Sequence, residues 1–226
     1  MDKELTCTFV TGSEVKLEVE DKDVAKSLQE AGLVKYEESG HAPEEGEPVQ
    51  VTRIEEQNIP AGETTAYVSH SEKEGFYLQL SSQEDELGEI IETIQSQCVK
   101  TSPLTEVAVG DYCCAKFTTD NSWYRAHVKD IRGETVDVLF IDFGNSDSVT
   151  KDNLRPLCVG SPALAYHCCL TGCTTMSTQQ QELFSKLTLD AEIKVTFDTS
   201  DGDKYEVTLM ANDQNVNKEI ILSGEF

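Results

Sequence analysis

Residues 109–158 read VGDYCCAKFTTDNSWYRAHVKDIRGETVDVLFIDFGNSDSVTKDNLRPLC. Four short runs have strand character: Asp111–Phe117, Ser122–Asp130, Glu134–Ile141 and Ser146–Val149. Turn-forming residues separate them at Thr119-Asp120-Asn121, Arg132-Gly133 and Gly144-Asn145. Short strands strung by tight turns predict a small barrel. Four aromatic residues, Phe117, Tyr124, Phe140 and Phe143, crowd this stretch. Strict alternation puts Tyr124, Ala126 and Val128 on one face and Val136, Val138 and Phe140 on another. From pattern alone, ordinary barrel packing is the commoner role for such aromatics and a binding slot the rarer one.

The flanks read differently. Upstream, the alternating runs Thr64–His70 and Gly75–Leu80 form a hairpin pattern. A helix follows over Ser82–Cys98, with Leu87, Ile90, Ile91, Ile94 and Cys98 on one face. Ser81 and Glu84 have the spacing of a capping box. Downstream, a strand at Ala163–Cys169 leads to a helix at Thr178–Leu187. Strands at Glu192–Asp198 and Lys204–Leu209 and a short helix at Val216–Leu222 then complete the pattern.

Glu37–Pro48, EESGHAPEEGEP, is acidic and has no apolar residue larger than Ala, so it reads as a tether. On its N-terminal side lies a partial repeat of the C-terminal end. Thr8-Phe9 matches Thr196-Phe197. Val15, Leu17, Val24, Leu28 and Gly32 match Val207, Leu209, Val216, Ile220 and Gly224. Both copies predict a hairpin followed by a short helix ending at glycine. The expected division is a hairpin–helix piece at 1–36, the tail of a preceding related domain or an added piece of this one. A linker at 37–48, a first flank at 49–108, the barrel at 109–158 and a second flank at 159–226 follow.

The 226 residues carry 18 Lys and Arg against 42 Asp and Glu, a formal charge of −24. Phosphate binding needs clustered cations, so direct nucleic-acid binding is disfavoured and a cationic partner is favoured. There is no apolar run of 18 residues and no apolar leader at the N-terminus, so neither a membrane span nor a signal peptide is expected. The eight cysteines include no C-x-x-C pair and read as reduced thiols of a cytosolic or nuclear protein. His167, Cys169 and Cys173 are close in sequence, but buried structural cysteines are the expectation there, and no metal.

The VGD opening, the F-x₅-W-Y-R-A run, the strand ending F-I-D-F-G-N and the L-R-P-L exit resemble a Tudor domain. With its flanks, residues 50–226 resemble the extended Tudor domain. The implied fold is mainly β with a few helices: a Tudor β-barrel joined by a long helix to a nuclease-like OB lobe that the barrel splits in two.

The resemblance further implies a non-catalytic reader of dimethylated arginine, usually symmetric, in Arg-Gly or Arg-Ala tails of PIWI-type Argonautes. It implies a scaffold role in piRNA silencing, in cytoplasm or germ granules. It places a cage at Phe117, Tyr124, Phe140, Phe143 and Asn145, with Arg125 and Asp142 as a supporting ion pair. Trp123, the one tryptophan, is read as packing the barrel against its neighbour, with lining of the peptide groove as the alternative. Relatives often carry Tyr at the positions of Phe140 and Phe143. No cofactor, catalytic residue or metal ligand is implied. The alternatives are a methyl-lysine reader, a methylation-independent peptide scaffold, or nucleic-acid binding or cleavage on the OB-like lobe. Cleavage would need a carboxylate cluster around a metal, and no such motif is assignable.

Overall fold

The computed structural model describes residues 51–189, 191–200 and 204–224, together with the backbone of 5–11, 14–19 and 22–23. The chain divides into two compact units, Met1–Glu47 and Pro48–Phe226.

In the first unit, β1 (Leu5–Thr11) and β2 (Glu14–Val19) form an antiparallel hairpin, and β3 (Lys22–Asp23) pairs with β2. The helix read after this hairpin and the linker at 37–48 lie outside the described residues.

The second unit holds two β systems. β4 (Glu63–Glu72) and β5 (Gly75–Leu80) pair as the alternation predicts. After a single 3-10 turn at Ser81–Gln83 comes helix α1 (Glu84–Cys98). The Ser81–Glu84 capping box does not form. The intervening turn shifts the N-cap to Gln83, and Ser81 Oγ is left buried without a partner. Glu84, Asp85 and Glu86 instead place negative charge in the first turn, where the helix dipole favours it.

The barrel strands are β6 (Tyr112–Lys116), β7 (Trp123–Arg132), β8 (Thr135–Phe140), β9 (Ser146–Thr150) and β10 (Leu154–Pro156). They associate in the order β10-β6-β7-β8-β9. Their shared core is Cys113, Ala115, Ala126, Val128, Val136, Val138, Phe140, Val149 and Leu154.

Four elements follow: β11 (Ala165–Leu170), helix α2 (Thr178–Thr188), β12 (Ile193–Ser200) and β13 (Tyr205–Ala211). The short β14 (Gln214–Asn215) and helix α3 (Val216–Ser223) close the chain. β11 pairs antiparallel with β5 and parallel with β13. β12 joins β13 to β4. The circuit β4-β5-β11-β13-β12 therefore closes on itself, with one parallel pair, in the connectivity of an OB barrel. Two of its strands precede the β6–β10 barrel and three follow it. Both flanks feed one core: Ala66, Phe76 and Leu78 pack with Tyr166, Phe184, Ile193, Val207 and Leu209. Phe76 and Phe184 sit 4.7 Å apart, centroid to centroid. Removing either ring would cost about 3–5 kcal/mol.

Helix α2 carries a capping box that the sequence reading passed over. Ser177 Oγ accepts from Gln180 N at 3.3 Å, and Gln180 Oε1 accepts from Ser177 N at 2.9 Å. The same Gln180 donates to Ile220 O at 2.9 Å and ties α2 to α3.

The partial repeat extends to register. Phe9 pairs with Val15 as Phe197 pairs with Val207, and Cys7 pairs with Leu17 as Val195 pairs with Leu209. Both hairpins slip register just after the phenylalanine, between Phe9 and Thr11 and between Phe197 and Thr199. A shared bulge at one matched position is a feature of backbone geometry that composition alone does not produce.

Candidate functional site: an aromatic cavity on the first barrel

The cavity forms where the end of β6, the start of β7 and the turn after β8 converge. Phe117, Tyr124, Phe140, Phe143 and Asn145 all line one opening of about 160 Å³, together with Asp120. Phe140 is fully buried in the barrel core, whereas Phe117, Tyr124 and Phe143 are only partly covered. One aromatic thus serves as floor and three as walls. The rings stand edge to face. Phe117 meets Phe140 at 5.3 Å and 71°, Tyr124 meets Phe140 at 5.8 Å and 77°, and Tyr124 meets Phe143 at 5.2 Å and 78°. Such contacts hold ring positions. A flat cation entering such an opening is attracted to ring faces.

Asp120 escaped the sequence reading. Its Oδ2 accepts from the Tyr124 hydroxyl at 2.8 Å, and its Oδ1 accepts from Ser122 N at 2.8 Å. Burial, and then the bond to Asp120, raise the Tyr124 pKa above its ordinary value. The phenol therefore stays neutral and points its proton at the carboxylate. An Asp at a turn before a strand is usually read as turn chemistry. Only the fold shows that this one also faces the aromatic opening.

The loop after β8 is fixed by several bonds. Gly144 N and Phe143 N donate back to Phe140 O at 2.7 and 3.2 Å, and Phe140 N donates to Asn145 O at 2.9 Å. Gly144 has φ +89°, and a Cβ there would lie 2.0 Å from the Tyr77 ring. Glycine is needed both for the turn and for the approach of the OB lobe. That lobe also holds the turn backbone: Ser69 Oγ donates to Phe143 O at 2.7 Å and Gln79 Nε2 to Asp142 O at 2.5 Å.

Behind the turn, Arg125 and Asp142 make a bidentate pair at 2.9 and 2.6 Å, both fully buried. The guanidinium also donates to Ser161 O at 2.5 Å and Pro162 O at 2.9 Å, while Asp142 Oδ1 accepts from Leu164 N at 3.0 Å. The pair fixes Asp142 between the cavity residues Phe140 and Phe143. Trp123 lies outside the cavity. It packs against Ile90 and Ile94 of α1, with Arg155 4.7 Å over its ring. Gln95 of that helix grips the Trp123 backbone at both N and O, at 3.0 and 2.6 Å.

Among the described residues, no group of three or more His, Cys, Asp or Glu is arranged to hold a metal ion, and no helix is long and apolar enough to cross a membrane.

The family profile described as Tudor domain matches residues 59–172. Human Tudor domain-containing protein 6 is 30% identical over 215 residues, which cover 89% of this chain and 10% of that protein. The chain spans about a tenth of the length of the curated relatives it matches. Among solved structures, the human TDRD1 extended Tudor domain in complex with a symmetrically dimethylated peptide superposes with a TM-score of 0.69. It is 24% identical and covers 77% of this chain and 94% of that one. The Drosophila melanogaster Papi extended Tudor domain, in complex with a Piwi N-terminal peptide, gives a TM-score of 0.61 at 20% identity. It covers 73% of this chain and 98% of that one. With the Tudor profile spanning half its length and a Tudor barrel set inside a split OB lobe, the chain belongs to the Tudor domain family, in its extended form.

Proposed function

We propose that the chain is a non-catalytic reader that takes a dimethylated arginine side chain, from an Arg-Gly- or Arg-Ala-rich peptide, into the cavity walled by Phe117, Tyr124, Phe140 and Phe143. The observation that carries this reading is the pairing of four aromatic rings with two polar acceptors, Asn145 and Asp120, around one opening. Methylation keeps the guanidinium charge and removes N–H donors. The methyl groups add apolar surface worth at most ~0.8 kcal/mol each when buried. Ring faces attract the cation by about 0.5–2 kcal/mol per contact, more as water is excluded. Asn145 and Asp120 are suited to accept from the N–H groups that remain. A trimethyl-lysine head has no such donor, so the acceptors favour arginine. The relatives bound to a symmetrically dimethylated peptide and to a Piwi N-terminal peptide support this ligand class. The −24 charge supports an Arg-rich partner, since it speeds encounter with cationic tails. Within the same proposal, the partner is a PIWI-type Argonaute tail and the setting a cytoplasmic germ-granule scaffold for piRNA silencing.

Calorimetry with one Arg-Gly peptide in unmodified, asymmetric and symmetric dimethyl forms, and with a trimethyl-lysine analogue, tests it. The dimethylarginine peptides should bind with Kd on the order of micromolar. Phe143→Ala should weaken them by about five- to thirty-fold, the equivalent of ~1–2 kcal/mol. Equal binding of all four peptides, or parental affinity in a folded Phe143→Ala variant, would overturn the proposal.

A further inference from the structure

A second opening lies between the Tudor barrel and the OB lobe. It holds about 590 Å³, more than three times the aromatic cavity, and falls in the size range of ligand pockets, about 300–1,000 Å³. Each wall is built on one cross-strand row. On the barrel, Tyr112, His127, Leu139 and Ser146 are direct partners across β6, β7, β8 and β9. They alternate with core residues such as Ala126 and Phe140, and so face outward. On the OB lobe, Tyr77 and His167 are partners across β5 and β11. In both rows tyrosine and histidine stack, Tyr112 on His127 at 4.7 Å and 21°, Tyr77 on His167 at 4.6 Å and 8°.

The lining inverts the charge balance of the molecule. The chain carries 42 Asp and Glu against 18 Lys and Arg. Among the described lining residues, two lysines and two histidines meet one carboxylate, Glu72, which lies 3.4 Å from His167 Nε2. Lys129 enters from the barrel wall. There β7 slips register against β8 between Val128 and Asp130, which makes Lys129 the extra residue of a bulge, a device that re-aims a side chain. Lys204 enters from the opposite wall, just before β13, and its ammonium donates to Glu74 O. The cleft and the aromatic cavity share a ridge. Phe143 and Asn145 line the cavity, Ser146 lines the cleft, and Gly144 packs on the cleft residue Tyr77. A single backbone with a side-chain layer on each side is about 10 Å across, which about three extended residues span.

We propose, resting on the reading that the aromatic cavity holds dimethylarginine, that this cleft takes an anionic side chain of the same peptide, about three residues from the arginine, between Lys129 and Lys204. The anion is the carboxylate of an Asp or Glu or the phosphate of a phosphorylated Ser or Thr. Stacked rings with cations also suit single-stranded RNA. A chain of charge −24, however, repels a polyanion along its whole length. One anion seated between two lysines meets a locally favourable field, whereas the same anion elsewhere on the peptide meets the repulsive one. The cleft therefore selects spacing as well as charge. Lys129 and Lys204 set which methylarginine peptides bind best, and the aromatic cavity sets that the arginine is methylated.

The test is calorimetry of the whole chain with peptides that carry one symmetric dimethylarginine. One peptide has Gly-Ala flanks. Others place a single Glu at increasing distance on either side, and phosphoserine or Lys then replaces Glu at the best position. Affinity should peak at one spacing, roughly three- to tenfold above the neutral flank, since two surface ion pairs are each good for about 1.4- to fivefold. The gain should shrink as salt is added. The larger gain of the Glu or the phosphoserine peptide identifies the source of the anion. Lys129→Glu should remove the gain and make the Lys-flanked peptide the tighter one. The neutral-flank peptide should bind that variant as it binds the parent, which shows the fold and the aromatic cavity intact. If the neutral-flank peptide binds but no Glu position improves on it, or if the gain survives Lys129→Glu and Lys204→Ala together, the cleft proposal fails and the cavity reading stands. If no dimethylarginine peptide binds, both fail. A single-stranded RNA octamer that binds in a Lys129-dependent way, with no gain from Glu, would overturn the proposal in favour of nucleic acid.

Discussion

Replacing Arg125 by Met removes, among the described residues, the cation in direct contact with a carboxylate that is 2% exposed. Met keeps most of the side-chain length and volume, so the change is electrostatic rather than a cavity. Asp142 loses donors at 2.9 and 2.6 Å and keeps Leu164 N at 3.0 Å. Ser161 O and Pro162 O lose theirs at 2.5 and 2.9 Å. Breaking a buried pair from one side costs about 3–5 kcal/mol, because the remaining charge is left uncompensated. The stranded carbonyls, at about 1–3 kcal/mol each if they stay dry, overlap with that figure rather than add to it. Against a total stability of roughly 5–15 kcal/mol, the loss is large. Urea denaturation of Arg125→Met should show it as a lowered midpoint with little change in slope.

The double variant Arg125→Met with Asp142→Leu separates the two parts. With no charge left buried it should recover part of the loss, and only part, because Ser161 O, Pro162 O and Leu164 N still lack partners. Peptide affinity should fall in the single variant even where it remains folded, since Asp142 lies between Phe140 and Phe143. A single variant within about 1 kcal/mol of the parent, or a double variant less stable than the single, would refute the reasoning.

Gly144→Ala forces a Cβ to within 2.0 Å of Tyr77 at φ +89°, and should cost about 2–4 kcal/mol in denaturation while lowering peptide affinity. Asp120→Asn removes the charge beside the cavity and should weaken dimethylarginine peptides by up to about fivefold; the difference from the parent should shrink at high salt in a calorimetric salt series. His127, stacked on Tyr112 at 4.7 Å, has its pKa lowered, first by burial and then by the Lys129 charge. The folded protein therefore holds its neutral form, and its stability is full above the unfolded value of 6.5. Stability falls as pH drops below that value toward the lowered folded one. His127→Gln should flatten this part of a denaturation–pH profile. Residues 109–158 alone should melt below 48–226, because α1 and the OB lobe supply partners to Trp123, Asp142 and Phe143. Equal melting temperatures would contradict that dependence.

A small barrel was legible locally, because its strands alternate and its turns sit on Gly and Asn residues that local sterics recognise, and the W-Y-R-A and F-I-D-F-G-N resemblance marked it as Tudor-like. The sequence also placed the flanking hairpin and the amphipathic helix, whose periodicities are properties of short segments. The four aromatics and Asn145 were marked only by the family resemblance that W-Y-R-A and F-I-D-F-G-N carry, since alternation alone favoured core packing for the rings. The fold divides them: Phe140 is floor and core at once, while Phe117, Tyr124 and Phe143 keep part of their surface open.

Relations between distant segments arise only on folding. Asp120 reads locally as a turn residue, and its place beside the cavity exists only once β6, β7 and the loop after β8 converge. The capping box at Ser81 failed and the one at Ser177 formed, because caps depend on which residue the chain leaves at the helix start. Gly144 has two reasons to be glycine. The positive φ was legible in the turn, whereas the Tyr77 ring comes from a strand 67 residues earlier. Side-chain periodicity encodes which face a residue shows, but contact between faces is set by the packing of whole elements, which a linear pattern does not carry.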